Sequence, residues 1–105
     1  MYTFDKDLES RVMGIYFRMT YFGCGENSEE DKAFIQNNKF KVIVTEDSIK
    51  NGWPSDKEKF KTYPVKFLYP YNLKHMNVDR YSSTLELEEF PGVNFNTVNF
   101  KFLKL

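Results

Sequence analysis

Nineteen of the 105 residues are Phe, Tyr or Trp, whereas Ala33 is the only alanine. The apolar mass of the chain is therefore carried by large rings. Rings pack well on a pleated surface and lose side-chain freedom against a preceding helical turn, so they favour strands over helices. Each buries on the order of 150–250 Å², and a chain of this length has a limited interior. Some of the seven tyrosines must then reach the surface, where such rings anchor partners.

The remaining composition narrows the class. A length of 105 residues, 41% hydrophobic and 29% charged, fits one globular domain spanning residues 1–105 rather than a disordered chain. Fifteen basic side chains balance fifteen acidic ones, which argues against a general polyanion binder that gains affinity by counterion release. The distribution is uneven: residues 1–38 hold four Lys/Arg against seven Asp/Glu, residues 39–74 eight against four, a modest basic segment, and residues 75–105 three against four. Cys24 is alone, so no intramolecular disulfide forms and a reducing compartment fits best. Neither a secretory leader nor a run of about 20 apolar residues is present. The expectation is a cytoplasmic protein with no membrane partner. Lys, Asn, Phe, Tyr, Ile and Met are abundant while Ala, Gly, Arg and Pro are scarce, the bias of AT-rich coding sequence common in viruses and mobile elements.

Along the chain, residues 12–22 alternate Met13, Ile15, Phe17, Met19 and Tyr21 with Gly14, Tyr16, Arg18 and Thr20, which predicts a long strand with its core face on the odd positions. Ser28 before Glu29, Glu30 and Asp31 caps a short helix over about 28–37. Lys39 to Val44 reads as a second strand. Asn51-Gly52 is a turn signal, and Ser55 with Glu58, just after Pro54, marks a helical turn through about Lys61. Residues 63–71 place Tyr63, Val65, Phe67, Tyr69 and Tyr71 on one face of a proline-flanked edge strand. A polar connection over 72–83 follows, then strands over 84–90 and 95–105 paired as a hairpin around a Pro91-Gly92 turn. The predicted fold is α+β, with a mainly antiparallel sheet of about five strands, one short helix and one helical turn; a small, partly closed β-barrel is the alternative.

Candidate chemistry is sparse. Cys24 between two glycines, with His75 as the only imidazole, is the sole route to a nucleophile and its base, and no motif surrounds either. One His and one Cys do not supply the usual nitrogen and sulfur ligands of a zinc site. The acidic groups Glu29-Glu30-Asp31 and Glu86-Glu88-Glu89 lack calcium-loop spacing, and no Gly-rich phosphate loop exists. No cofactor and no metal is expected, nor an enzyme.

Exposed rings remain. The expected function is a non-enzymatic protein-interaction module, of the kind of a small inhibitor or modulator encoded by a virus or mobile element, acting by occupying a partner protein's surface. The residues expected to carry it are Tyr16 and Arg18, opposite the odd-numbered core face, with Trp53, Tyr69 and Tyr71. Trp53 stands in a polar loop where a lone large ring either plugs the core or is held out as an anchor, and both readings stay open. The alternative is a single-stranded nucleic-acid binder in which Lys39, Lys41 and Lys66 interleave with Tyr69 and Tyr71; a catalytic domain ranks third.

Overall fold

The computed structural model describes residues 2–22, 27–50 and 53–105. The predicted first strand is a helix. α1 runs from Lys6 to Phe22; the Asp5 carboxylate accepts the Leu8 N–H at 2.9 Å and the Asp5 carbonyl accepts the Glu9 N–H, while Asp7 and Glu9 complement the helix dipole in the first turn. Leu8, Val12, Ile15 and Tyr16 are buried, the i, i+4, i+7, i+8 stripe of an amphipathic helix. Residues 12–22 are so rich in apolar side chains that they satisfy period 2 and period 3.6 together. Length and the Asp5 cap decide for the helix, and Tyr16 goes inward rather than outward.

α2, Glu29–Asn37, is where the Ser28 cap placed it, with the Ser28 hydroxyl accepting the Asp31 N–H. Arg18 ties α1 to it: Nε donates to Asn27 Oδ1 at 2.7 Å and a terminal nitrogen to Asp31 Oδ2 at 3.3 Å. The Arg11 guanidinium lies over the Phe34 ring at 3.7 Å. β1, Lys41–Val44, follows as predicted. Thr45 and Ser48 then cap each other's backbone N–H reciprocally and start α3, Glu46–Lys50. α4 spans Pro54–Thr62, with Trp53 at the N-cap.

Residues 63–70 are not a strand. Their one bridge to the sheet is a parallel one between Val44 and Phe67, beside the Leu68 N–H donated to the Val44 carbonyl, and Leu68 has a positive φ of 57°. The strand begins where a polar connection was expected: β2 is Tyr71–Val78. Its buried residues are Tyr71, Leu73, Met76 and Val78, and a bulge between Leu73 and His75 shifts the register, so the inward positions switch from odd to even. Strict alternation is lost, and with it the sequence signal.

β3, Ser83–Leu87, pairs with β4, Phe90–Asn96. The hairpin turn is Glu88-Glu89 rather than Pro91-Gly92, since Leu87 pairs with Phe90. Gly92 instead occupies a second bulge, where its φ of +82° suits a residue without Cβ and its N–H donates to Glu86 Oε2 at 2.9 Å. A 3-10 turn, Thr97–Asn99, leads into β5, Phe100–Phe102. All strand pairs are antiparallel in one five-stranded sheet of order β4-β3-β2-β1-β5. The sheet is open, with β4 and β5 at opposite edges, so the barrel alternative fails and the α+β class with five antiparallel strands holds. Helical content exceeds the expectation, with four helices among the described residues.

Register builds the core. Phe102, Val42 and Tyr71 face one another across three strands, as do Met76, Leu85 and Phe95, and all six are buried. α1 packs against β2 and β5, α3 against the 3-10 turn and β5, and α4 against β4, where Phe60 meets Phe95 and Phe100 at ring separations of 5.8 and 6.1 Å.

Candidate protein-interaction surface

Beside α4, several elements converge on a groove of about 320 Å³. Trp53, at the N-cap of α4, supplies one wall and the β2–β3 hairpin residues 79–83 another; Met13 of α1, Val78, Asn96 and Val98 complete it. Tyr81 is 95% exposed, Trp53 68% and Val98 47%. Large rings at such exposure leave apolar area in water that a partner could cover.

The groove's frame is hydrogen-bonded although its rings are not buried. Asp56 Oδ2 accepts the Trp53 N–H at 2.8 Å and the Asn96 side-chain amide at 3.1 Å. One carboxylate thereby holds the start of α4 against the end of β4. Asn96 Oδ1 in turn accepts the Val98 N–H, and the hairpin tip is closed by the Asp79 N–H donated to the Ser82 carbonyl at 2.9 Å. Backbone positions fixed before binding lower the ordering cost of association.

The structure separates the sequence-predicted residues. Trp53 is exposed, not a core plug. Tyr69 is half in solvent at 47%, its ring 4.7 Å from that of Tyr71. Tyr71 itself is buried, its hydroxyl accepting the Lys66 N–H at 2.7 Å. Tyr16 is 6% exposed and stacks edge-on against His75 at 5.1 Å; burial pushes its phenol pKa up. Arg18 spends its donors on Asn27 and Asp31. Tyr16 and Tyr71 are therefore scaffold. Cys24 and the Asn51-Gly52 turn lie outside the described residues.

Two exposed groups went unmarked in the sequence. Tyr81 is a lone ring in a polar run, the same signal that singled out Trp53. Phe67 and Leu68, each 55% exposed, continue into Tyr69 as an exposed apolar run where the alternation predicts a strand face. Of the lysines proposed for nucleic acid, Lys39 and Lys41 line a cleft with Lys104, Leu103 and Leu105, and Lys39 lies 3.9 Å from Glu88. Lys66 is on the separate 63–70 segment. With Tyr71 buried, the stacking platform expected beside these lysines loses one of its two rings. Among the described residues no three His, Cys, Asp or Glu side chains are grouped so as to hold a metal, and no helix is long and apolar enough to cross a membrane.

Residues 41–105, from β1 through all five strands to the last residue, match the family described as Bacteriophage T4 protein Y07B. α1 and α2 precede the matched region. No curated protein and no solved structure matches the chain.

Proposed function

Because the chain belongs to the Bacteriophage T4 protein Y07B family, we propose that it is a small phage-encoded protein-binding module, non-enzymatic and cytoplasmic, which inhibits or modulates a partner protein by occupying its surface. The observation that carries this reading is the pairing of Trp53 and Tyr81, both strongly exposed, on one groove braced by Asp56. Trp and Tyr are the residue types that dominate interface hot spots. Each ring offers on the order of 150–250 Å² of area to bury, worth about 4–6 kcal/mol gross at the usual coefficient. After ordering costs, a net loss of roughly 2 kcal/mol or more on truncation to alanine is expected.

The test is affinity capture from host-cell extract with the wild-type protein and with Trp53→Ala and Tyr81→Ala, followed by calorimetric titration of the captured protein. A protein retained by the wild type and lost by both variants, each still folded by circular dichroism, supports the reading. Equal retention by the variants, or recovery abolished by nuclease, refutes it. The nuclease-sensitive result would favour the single-stranded nucleic-acid reading, for which Lys39, Lys41 and Lys104 around one cleft are the supporting feature.

A further inference from the structure

On the other side of Val98 lies a second cleft, of about 230 Å³, whose rim carries Phe4, Asp5, Lys6, Glu9 and Lys101. It is built in advance of any ligand. The N-terminal segment is clipped to β5 by the Asp5 N–H donated to the Phe102 carbonyl, the Lys104 N–H donated to the Thr3 carbonyl and a bridge between Phe4 and Leu103. Ser48, on the inner wall, is locked by its hydroxyl donating to the Asn99 carbonyl at 2.7 Å.

The four rim charges sum to zero, but they are not equally satisfied. Asp5 caps α1 through the Leu8 N–H. The Lys101 ammonium sits over the Phe4 ring, 5.2 Å from its centroid. Lys6 is exposed to water. Glu9 is half-buried and, among the described residues, makes neither a hydrogen bond nor an ion pair with its side chain. Burial raises its carboxyl pKa, opposed only by the more distant charges of Lys6 and Lys101. An under-compensated carboxylate in a cleft is a site for an incoming cation.

We propose that this cleft takes an arginine side chain of a protein partner, its guanidinium paired with the Glu9 carboxylate and its methylene stem lying against Phe4 and Val98. Charge complementarity selects a cation at Glu9, and the apolar walls select one on a hydrocarbon stem. A guanidinium suits the position better than an ammonium. It is more weakly hydrated, so it enters a half-buried site at lower cost, and its planar fork matches a carboxylate with two parallel hydrogen bonds. The proposal rests on the protein-binding reading of the neighbouring groove, with which the cleft shares Val98.

The experiment is a titration of the isotope-labelled full chain with N-acetyl-arginine amide, followed by amide chemical shifts. Saturable shifts at Glu9, Ser48 and Lys101 are expected. N-acetyl-citrulline amide, equal in shape but uncharged, should bind at least about tenfold more weakly, as loss of a charge-assisted hydrogen bond requires. Glu9→Gln, checked for folding by its amide spectrum, should abolish the difference between the two probes. Acidifying the wild type until Glu9 is protonated should release the arginine probe without any substitution. Asp5 is the other carboxylate on the rim, so Asp5→Asn, which keeps the helix cap, should leave the response intact. No response to the arginine probe, an equal response to citrulline, or an undiminished response in Glu9→Gln overturns the proposal. The readouts are separable: capture through the groove with a silent arginine titration refutes the cleft alone, and arginine binding without a groove partner refutes the groove alone.

Discussion

Replacing Ile15 and Tyr16 by alanine, one at a time, tests whether the N-terminal segment is an amphipathic helix with both residues in the core. Consecutive residues of a half-exposed strand point to opposite faces, so only one of the two could be costly to truncate. On a helix that meets the sheet with a broad stripe, both can be buried, and here Ile15 is 0% and Tyr16 6% exposed. Truncating Ile15 deletes about three buried carbons at roughly 0.8 kcal/mol each, and the residual cavity brings the loss to about 3 kcal/mol. For Tyr16, a ring of about 200 Å² at 25 cal/mol/Å², reduced for a denatured state that is not fully extended, corresponds to about 3–4 kcal/mol. Against a total stability of roughly 5–15 kcal/mol for a domain of this size, either loss is large. Thermal midpoints should fall by roughly 12–25 °C, and urea midpoints should fall without a change in slope. Either variant remaining within about 1 kcal/mol of wild type would refute the helical core assignment and return that residue to the surface.

Asp56→Ala removes the acceptor shared by the Trp53 N–H and the Asn96 amide; a stability loss of about 1–2 kcal/mol is expected in chemical denaturation, with weaker partner binding because Trp53 is no longer held. Tyr71→Phe should cost about 1–2 kcal/mol, since the Lys66 N–H loses its 2.7 Å acceptor, and faster hydrogen exchange at the Lys66 amide checks the cause. Glu9 and Glu86 should respond to pH with opposite signs. Burial raises the Glu9 pKa above its ordinary 4.5, so its contribution to stability is fully present below that value and lost as pH rises through the folded-state pKa; Glu9→Gln should therefore melt higher than wild type at neutral pH and equal to it in acid. The Gly92 N–H, then Lys74, hold the Glu86 carboxyl below its ordinary value, so its contribution is present above 4.5 and lost as pH falls through the folded-state pKa, and Glu86→Gln should be destabilising only above that range.

Where one short interaction settles local structure, the sequence was enough. The Ser28 cap placed α2 and the β-branched run placed β1, because each signal acts within one turn or one strand and needs no distant partner; the helix after Pro54 was legible too, although its cap is Trp53 with Asp56 rather than Ser55 with Glu58. The antiparallel α+β class holds although two of the alternating segments do not form strands, residues 12–22 lying in α1 and residues 63–70 outside any strand, and β2 falls largely in the predicted polar connection. Trp53 was legible as a candidate anchor for the same reason, a large ring in polar company. Tertiary structure decided what local pattern leaves degenerate. Residues 12–22 carry apolar side chains at both periods, and docking against β2 and β5 is what draws Tyr16 inside. The β2 strand was hidden because its bulge changes which residues face inward, a shift that makes sense only opposite β3. Tyr71, Tyr69 and Tyr81 are the same residue type, yet one is core, one half-exposed and one almost fully exposed, since burial is a property of what comes to lie over a side chain rather than of the side chain itself. For the same reason Glu9 became notable only where the fold half-buries it in a cleft beside β5.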